Sequence, residues 1–243
     1  MIPSWIARRI ASAEALIAPF VAAHRVYVSS SFGKDSLVLL WVVRRMGLRL
    51  PVIWFDGGLY DEHPETAGFV ERVAALWDLD VHVAQPAIPL VEQWRRFGVP
   101  TGRGTKEDDA YTRQFVDAIH RVRDELGCDA SLLGMRSDES LARRCYVFGR
   151  RGPTYYVQRD REWRCNPLWN WSTRDIWTLI DAEGLPVHPV YTQTRFRRRE
   201  QIRLGVHAET AFAHWGALVE FRHYYPHLWN QLCAEFPEVA RHG

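Results

Sequence analysis

The sequence predicts an α/β fold with a mostly parallel β-sheet and a C-terminal helical appendage. Short apolar segments alternate along the chain with segments whose apolar residues recur at helical spacing, which is typical of strand–helix–strand units. The 243 residues are 47% hydrophobic and 25% charged, a balance typical of a globular protein and not of a disordered chain. We therefore expect one compact domain over residues 1–190, extended by helices in residues 191–243.

Each expected strand is a short apolar run that leads into a helical segment. The expected strands are 25–29, 51–55, 81–84 and 131–134. The N-terminal segment, 1–24, has its apolar residues at helical spacing and predicts an amphipathic helix. The helices expected after it are 37–46, 66–76, 112–126 and 173–181, the last capped by Ser172 or Thr173.

Two long stretches, 98–109 and 143–165, are interpreted as loops. The first contains TGRGTKEDD, and the second is rich in Arg, Tyr and Gly. Loops of this length in a compact domain are often lids or binding loops. From Tyr191 onward the pattern changes to helices that carry Trp and Arg, and these aromatic residues are compatible with a homodimer.

Charge, apolar runs and cysteine spacing exclude several classes of function. The net charge of +2 is too small for charge alone to indicate nucleic-acid binding. No apolar run approaches the length of a membrane span, and the N-terminal helix does not resemble a signal peptide, so we expect a cytoplasmic protein without a membrane partner. The four cysteines lie far apart with no CxxC pair, and therefore neither a structural zinc site nor an iron–sulfur cluster is expected.

The sharpest motif is SFGKDS, which lies between a buried strand and an apolar helix. A helix N-terminus offers unpaired N–H groups and a positive dipole end, both of which suit an anion. Gly33 is expected to permit a backbone turn that a side chain would block. The residues predicted to bind the phosphates of a nucleotide are Ser29, Ser31, Phe32, Gly33, Lys34, Asp35 and Ser36. The alternative is a serine-rich strand–helix turn with a chance lysine.

Two further strand ends carry candidate site residues. Asp56 and Gly57 follow the second strand, where a carboxylate would hold Mg²⁺ or a ribose hydroxyl, or would simply cap a helix. After the fourth strand, in GMRSDES, Gly134 would allow close approach of a ligand and Arg136 would clamp pyrophosphate with its planar fork. Glu139 and the adjacent aspartate would position Arg136 or a metal. The alternative for this segment is a charged surface turn.

Four blocks occur in a characteristic order: SFGKDS, FDGG with PET, GMRSDES and PLWNWSTRDIW. This order resembles the phosphoadenylylsulfate (PAPS) reductase-like branch of the N-type ATP pyrophosphatase, or adenine nucleotide alpha hydrolase, superfamily over residues 25–191. The resemblance implies a doubly wound, mostly parallel, five-stranded sheet that binds ATP. It further implies that Lys34, Asp35, Arg136 and Glu139 act in catalysis and that Asp35 and Asp56 hold Mg²⁺.

The chain departs from this family at two cysteine motifs. A reductase of the family carries a catalytic cysteine near its C-terminus in an ECGxH-type sequence, whereas this chain ends CAEFPEVARHG, and Cys233 lacks those neighbours. Many relatives also bind an iron–sulfur cluster through paired cysteines after the PxxPVY segment, where this chain has TQTRFRRREQIRLGV. We therefore expect neither sulfonucleotide reduction nor a cluster.

The expected activity is cleavage of ATP to AMP and pyrophosphate, which adenylates an acceptor. The resemblance implies an acceptor in nucleic acid, because some relatives serve DNA phosphorothioation and others thiolate tRNA. A cysteine desulfurase or a similar sulfur-donor protein would then be a partner. Two alternatives remain open: a small-molecule enzyme of the family, either a sulfonucleotide reductase or an FMN adenylyltransferase, and a nucleotide-sensing DNA-binding regulator.

The positions of cysteines and arginines indicate how sulfur could be carried and what kind of acceptor could be bound. Cys145 and Cys165 each follow an arginine, which would lower a thiol pKa, so each is a candidate sulfur carrier, although an incidental thiol is the alternative. Arginines and aromatic residues alternate in 143–165, and four further arginines lie in 195–199. This composition indicates either contact with single-stranded nucleic acid or a solvated surface loop.

Overall fold

The computed structural model describes residues 1–99, 106–202, 204 and 215–241. Six strands are present: β1 (Val26–Ser29), β2 (Val52–Phe55), β3 (Val81–Ala84), β4 (Ala130–Leu133), β5 (Thr154–Val157) and β6 (Glu162–Cys165). The helices are α1 (Ser4–Ala23), α2 (Lys34–Arg45), α3 (Thr66–Trp77), α4 (Leu90–Phe97), α5 (Lys106–Glu125), α6 (Gly149–Arg151), α7 (Thr173–Glu183), α8 (Trp215–Tyr224) and α9 (Pro226–Glu235). No helix in these ranges is long and apolar enough to cross a membrane.

The strands form one mostly parallel sheet in the order β3-β2-β1-β4-β6-β5, which confirms the predicted α/β class. Strand β1 pairs in parallel with β2 and β4, and β4 pairs in parallel with β6. The expectation of five strands is corrected to six, because β5 joins the edge of the sheet antiparallel to β6. Residues 26–28 of β1 are all buried, as expected for a central strand covered by helices on both faces.

The stretch 143–165 is not the loop that its composition suggested. It contains a π-helical turn (Arg143–Phe148), helix α6 and the β5–β6 hairpin. In β5, Tyr155 is buried and Tyr156 is exposed, which is the period-two pattern of a strand. The arginine and glycine content concealed this pattern. Part of the other expected loop, from residue 106 onward, belongs to α5, and residues 100–105 lie outside the described ranges.

Helix α7 begins and ends where local chemistry dictates. The Asp175 backbone N–H donates to Ser172 Oγ at 3.2 Å, and the Ser172 N–H donates to an Asp175 carboxylate oxygen at 2.7 Å. This reciprocal capping box settles the predicted choice in favour of Ser172. The helix ends at Gly184, whose φ of +60° lies in the left-handed region that glycine tolerates.

The described chain divides into two compact units. The first comprises 1–54, 70–82 and 121–188, and the second comprises 55–69, 83–120 and 189–243. In the first unit, α1 is amphipathic as predicted, with buried positions at Ile6, Ile10, Ala13, Ile17 and Phe20. In the second unit, an apolar cluster includes Tyr60, Trp94, Phe221, Trp229 and Phe236. The expected division of the chain at residue 190 remains a prediction.

Candidate functional site

The loop after β1 turns sharply at Phe32 and not at Gly33. Phe32 has φ of +55°, a left-handed conformation that costs a non-glycine residue about 1–2 kcal/mol. Gly33 has φ of −73°, which any residue adopts, so the expected role of Gly33 is corrected. The Phe32 side chain is fully buried, and its backbone N–H donates to Ser30 Oγ at 3.1 Å. Burial of the ring offsets the backbone cost, since burying a Phe side chain contributes about 1.5–3 kcal/mol.

Two serine hydroxyls close the loop over the start of α2. Ser31 Oγ and Ser36 Oγ lie 3.4 Å apart, and the Ser31 N–H donates to Ser36 Oγ at 3.4 Å. The Gly33 N–H donates to Ser31 Oγ, also at 3.4 Å. These long hydrogen bonds are weak. The hydroxyls are therefore held in place but can turn toward a stronger acceptor such as a phosphate oxygen.

Helix α2 begins three residues earlier than predicted, at Lys34, which places Lys34, Asp35 and Ser36 in its first turn. Gly33 is the N-cap and supplies no side-chain acceptor to that turn. The two serines and Lys34 thus belong to the residues that surround the positive end of the helix dipole. All three features favour an anion at this point.

Gly134 lies against this first turn. A Cβ at position 134 would come within 3.2 Å of the Asp35 carbonyl carbon and 3.3 Å of the Ser36 nitrogen. The absence of a side chain thus lets the end of β4 approach the backbone of α2. Gly134 was expected to let a ligand come close to the end of β4. In the structure it is the backbone of helix α2 that comes close there.

Asp35 lies between two cations. Its carboxylate accepts a hydrogen bond from Arg136 Nε at 2.7 Å, and its second oxygen lies 3.2 Å from Lys34 Nζ. Both cationic side chains are nearly buried, with 2% and 7% of the side chain exposed for Arg136 and Lys34. A buried charge requires such a partner, and Asp35 thereby fixes the position of the Lys34 ammonium.

The Arg136 guanidinium is engaged by protein groups on every nitrogen. Besides Asp35, its Nη1 donates to the Trp171 carbonyl oxygen at 3.1 Å and its Nη2 donates to Thr173 Oγ1 at 3.3 Å. A bidentate clamp on pyrophosphate needs a free fork. The geometry therefore favours a positioning role for Arg136 over the expected direct clamp.

Glu139 and Asp138 support this network from the turn after β4. The Arg136 backbone N–H donates to Glu139 at 2.8 Å, and the Arg143 guanidinium binds the same carboxylate oxygen. Asp138 accepts from the Thr173 backbone N–H at 3.0 Å and from the Thr173 hydroxyl at 3.2 Å. The Thr173 backbone N–H is the main reason why the pKa of Asp138 is lowered, with help from the Thr173 hydroxyl and Arg136. Glu139 therefore positions other residues, which differs from the expected catalytic role.

Sequence reasoning missed the partners of this network. Ser30, Trp171 and Thr173 were not among the predicted site residues, although all three make hydrogen bonds within it. The signal available for Thr173 was its place at the start of α7, directly after the Ser172 cap. A carbonyl oxygen such as that of Trp171 leaves no signal in the sequence.

The second unit holds Asp56 in a tight turn after β2. One Asp56 oxygen accepts from the Gly58 N–H at 2.9 Å, and the other accepts from the Gln85 amide at 3.3 Å. A Cβ on Gly57 would lie 1.6 Å from an Asp61 carboxylate oxygen, so a side chain there would require Asp61 to move. The pKa of Glu62 is raised, first by burial and then by the neighbouring carboxylates of Asp61 and Asp56.

The donor sets differ in their fit to Mg²⁺, which binds oxygen ligands of substrate phosphates and one or two carboxylates. Asp35 has a cation against each of its oxygens and fits Mg²⁺ poorly. The hydrogen bonds to Asp56 within the described ranges come from neutral donors, and Asp56 lies among carboxylates, which fits better. Within the described residues, no three His, Cys, Asp or Glu side chains form a group that could hold a metal ion by themselves.

The two candidate sulfur carriers differ in access. Cys145 is exposed, on the π-helical turn. Cys165 is fully buried in β6, and burial raises the pKa of its thiol to about 11. Arg164 was expected to lower the pKa of the Cys165 thiol. It does not, because its guanidinium binds Glu162 at 2.8 Å and Asp160 at 2.7 Å. Cys233 of α9 packs against the apolar cluster of the second unit, and burial raises its pKa.

Comparison with known proteins identifies relatives of this chain. The phosphoadenosine 5'-phosphosulfate reductase of Alkalilimnicola ehrlichii is 29% identical over 168 residues, covering 69% of this chain and 65% of that protein. Its counterpart from Xanthomonas campestris is 30% identical over 168 residues, covering 68% of this chain and 66% of that protein. The chain thus spans slightly less than two thirds of the length of these relatives.

Two solved structures share the fold. The phosphate complex of phosphoadenylyl-sulfate (PAPS) reductase from Candida auris has a TM-score of 0.59 at 23% identity, covering 74% of this chain and 83% of that chain. The U34-tRNA thiolase NcsA from Methanococcus maripaludis, which carries a 4Fe–4S cluster, has a TM-score of 0.60 at 12% identity, covering 98% of this chain and 79% of that chain.

A family profile extends the match beyond the individual relatives. It covers residues 25–224, from the strand that precedes the SFGKDS loop to the end of α8. That range includes every residue of the Asp35–Arg136 network. On this match the chain belongs to the phosphoadenosine phosphosulfate reductase domain family.

Proposed function

We propose that this protein is an ATP pyrophosphatase that adenylates an acceptor for the incorporation of sulfur into nucleic acid. The observation that supports the proposal is the anion cradle at the start of α2. There the Ser31 and Ser36 hydroxyls lie 3.4 Å apart at the uncapped N-terminus of a helix whose first residue is Lys34. Such a cradle suits the phosphate chain of a nucleotide.

The proposed reaction is a displacement at the α-phosphorus of ATP. An acceptor oxygen forms a bond to the α-phosphorus, and the bond from that phosphorus to the α–β bridging oxygen breaks, so pyrophosphate leaves with the electron pair. The product is an adenylated acceptor, which a sulfur nucleophile then attacks with release of AMP. Catalysis of such a step requires little beyond positioning and stabilisation of the phosphate charge.

The residues of the cradle would have distinct roles. The Lys34 ammonium would neutralise charge on the phosphate oxygens, and the two serine hydroxyls would donate hydrogen bonds to them. Asp35 would hold Lys34 in place, and Arg136 would hold Asp35. Mg²⁺ would offset phosphate charge when bound, and of the two aspartates expected to hold it, Asp56 has the more suitable surroundings.

The nucleic-acid acceptor and the sulfur donor are the finer parts of the proposal. A tRNA thiolase shares the fold, and this supports nucleic acid as one substrate class for the architecture. We further propose a cytoplasmic sulfur-donor protein of the cysteine desulfurase type as a partner. Cys145 is the better candidate to receive sulfur because it is exposed, whereas Cys165 is buried.

A second function, sulfonucleotide reduction, is favoured by the names of the curated relatives. It requires a nucleophilic thiol. Cys233, the cysteine nearest the C-terminus, is only partly exposed and has a raised pKa, which disfavours thiolate formation. We therefore rank reduction second.

Phosphorus NMR of the products from Mg·ATP tests the proposal, with the acceptor nucleic acid and a sulfur donor present. Wild-type protein is expected to give AMP and pyrophosphate, and Lys34→Ala is expected to lose this activity. Arg49→Ala is the matched control, because the Arg49 side chain is 87% exposed and forms an ion pair with the exposed Asp78. Release of sulfite from phosphoadenylylsulfate with no cleavage of ATP would overturn the proposal in favour of reduction.

A further inference from the structure

The β5–β6 hairpin concentrates positive charge on one part of the first unit. Residues 140–164 contain seven arginines and two carboxylates, a net charge of +5, whereas the whole chain carries +2. Both carboxylates are buried and bound within the hairpin region. Glu162 accepts from the Tyr27 hydroxyl at 2.7 Å and from Arg164 at 2.8 Å, while Asp160 binds Arg164 at 2.7 Å. Asp160 also accepts from Arg159 Nε at 3.0 Å, so the two carboxylates are shared between two of the seven arginines.

Two aromatic rings lie side by side on the exposed face of the hairpin. Tyr156 and Trp163 are directly opposite each other in the strand register, with ring centres 5.4 Å apart. Tyr156 is 40% exposed and Trp163 is 38% exposed. The His24 ring lies 5.4 Å from Trp163 at 33° and supports the indole from the side of α1. The rings therefore form a supported surface that remains open to solvent.

Exposed arginines lie at both ends of this aromatic pair. Arg159 and Arg161 occupy the turn between β5 and β6, and the Arg159 side chain is 80% exposed. Arg150 and Arg151 precede β5 at the other end and are also exposed. With four residues per strand, the two ends are separated by about 13 Å of strand, at about 3.3 Å per residue. Four of the seven arginines expected in one loop thus form two groups, one at each end of the strands.

We propose that this hairpin surface binds single-stranded nucleic acid, with bases stacked on Tyr156 and Trp163 and phosphates bound by the flanking arginines. Stacking platforms beside cationic groups are the usual means of binding single strands without base-pair readout. Protein interfaces also use Tyr, Trp and Arg, but their centres are depleted of charge, and this surface is strongly cationic. This inference rests on the proposed function in one respect: if the proposed function is right, the bound strand is the acceptor.

Fluorescence anisotropy with labelled single strands tests the proposal on the full chain. The probes are oligo(dT) and oligo(U) of about 20 nucleotides, longer than the 4–16 nucleotides that single-strand sites cover. The DNA and RNA arms decide which source of single strand is bound more tightly. Tyr156→Ala is expected to weaken binding by about 5- to 150-fold, the loss that corresponds to one stacked base. Tyr156→Phe retains the ring and is expected to retain binding.

The arginines make a separate prediction through the dependence on salt. Arg159→Ala and Arg161→Ala are each expected to reduce the slope of log K against log salt by about 0.7, the value for one phosphate contact on a single strand. Arg49 is an exposed arginine of the same unit that lies outside the hairpin, and Arg49→Ala is expected to leave the slope unchanged. Trp163→Phe is measured together with Trp163→Ala as a control for folding, since the smaller ring keeps the contact with His24.

Two results would overturn the inference: no binding of either strand, or binding that Tyr156→Ala and Trp163→Ala leave unchanged. Cleavage of ATP by the wild-type protein is measured separately. Cleavage without binding at the hairpin refutes this inference and leaves the proposed function intact. Binding at the hairpin without cleavage of ATP refutes the proposed function and leaves the surface intact.

Discussion

Replacing Arg136 with alanine removes the central group of the hydrogen-bond network around the SFGKDS loop. The substitution deletes the hydrogen bonds to Asp35 Oδ1, to the Trp171 carbonyl and to Thr173 Oγ1. Arg136 is 2% exposed, so water cannot readily replace the lost guanidinium. The Asp35 carboxylate would retain only Lys34, at 3.2 Å, as a charged partner.

The size of the effect follows from these contacts. Removing one partner of a buried ion pair costs about 3–5 kcal/mol of folding free energy. Asp35 keeps Lys34 and its side chain is 17% exposed, which favours the lower end of that range. A loss of about 3 kcal/mol in a chain of this size corresponds to a fall in Tm of about 6–12 °C. Arg136→Lys, which keeps the charge but not the planar fork, is expected to fall between alanine and wild type.

Thermal unfolding followed by circular dichroism measures this prediction directly. Arg49→Ala is the control, because an exposed ion pair contributes at most about 1 kcal/mol, or a change of less than about 4 °C. If Arg136→Ala melts no lower than Arg49→Ala, then Arg136 does not stabilise the loop and the assignment of a positioning role is wrong.

Two further predictions concern titratable groups. In the native protein a chromogenic disulfide reagent is expected to modify Cys145 rapidly and Cys165 only after unfolding, since Cys165 is buried with a pKa of about 11; a rapid phase that survives Cys145→Ser would contradict this. Glu62→Gln is expected to raise Tm at pH 7, because burial and nearby carboxylates raise the pKa of Glu62 in the folded state and so disfavour its charged form. The folded state binds the proton more tightly than the unfolded chain, so this penalty applies above the folded pKa and disappears as pH falls toward the ordinary value of 4.5. A gain in Tm that is the same at acidic and neutral pH would contradict this account.

The elements that sequence predicted well are those set by local signals. The strand–turn–helix at SFGKDS could be predicted because a buried strand, small polar residues and an apolar helix follow one another within a short segment. The start of α7 could be recognised because Ser172 and Asp175 form a capping box over three residues. In each case the interacting groups are neighbours in the chain.

The parts that sequence did not predict depend on contacts between distant residues. Asp35 and Arg136 are 101 residues apart, and only the parallel pairing of β1 with β4 brings their segments together. Arg164 was expected to act on the adjacent Cys165 thiol, but it binds Glu162 and Asp160 instead. The β5–β6 hairpin was overlooked because its segment is rich in arginine. Its two carboxylates are buried beside those arginines and make the segment compatible with a strand, but this burial exists only in the folded chain.

The position of strand β5 at the edge of the sheet affects how two copies of this chain could pair. Strand β5 is the last strand of the sheet, so one side of its backbone faces no further strand within the described part of the molecule. An open strand edge is a template for pairing with a second copy, which can lead to aggregation. The arginines at both ends of β5 would approach their own counterparts in such a pairing, and like charges repel. The charge of the hairpin therefore disfavours pairing of this strand edge with a second copy, and neutralising Arg151 and Arg159 is expected to increase the tendency to aggregate.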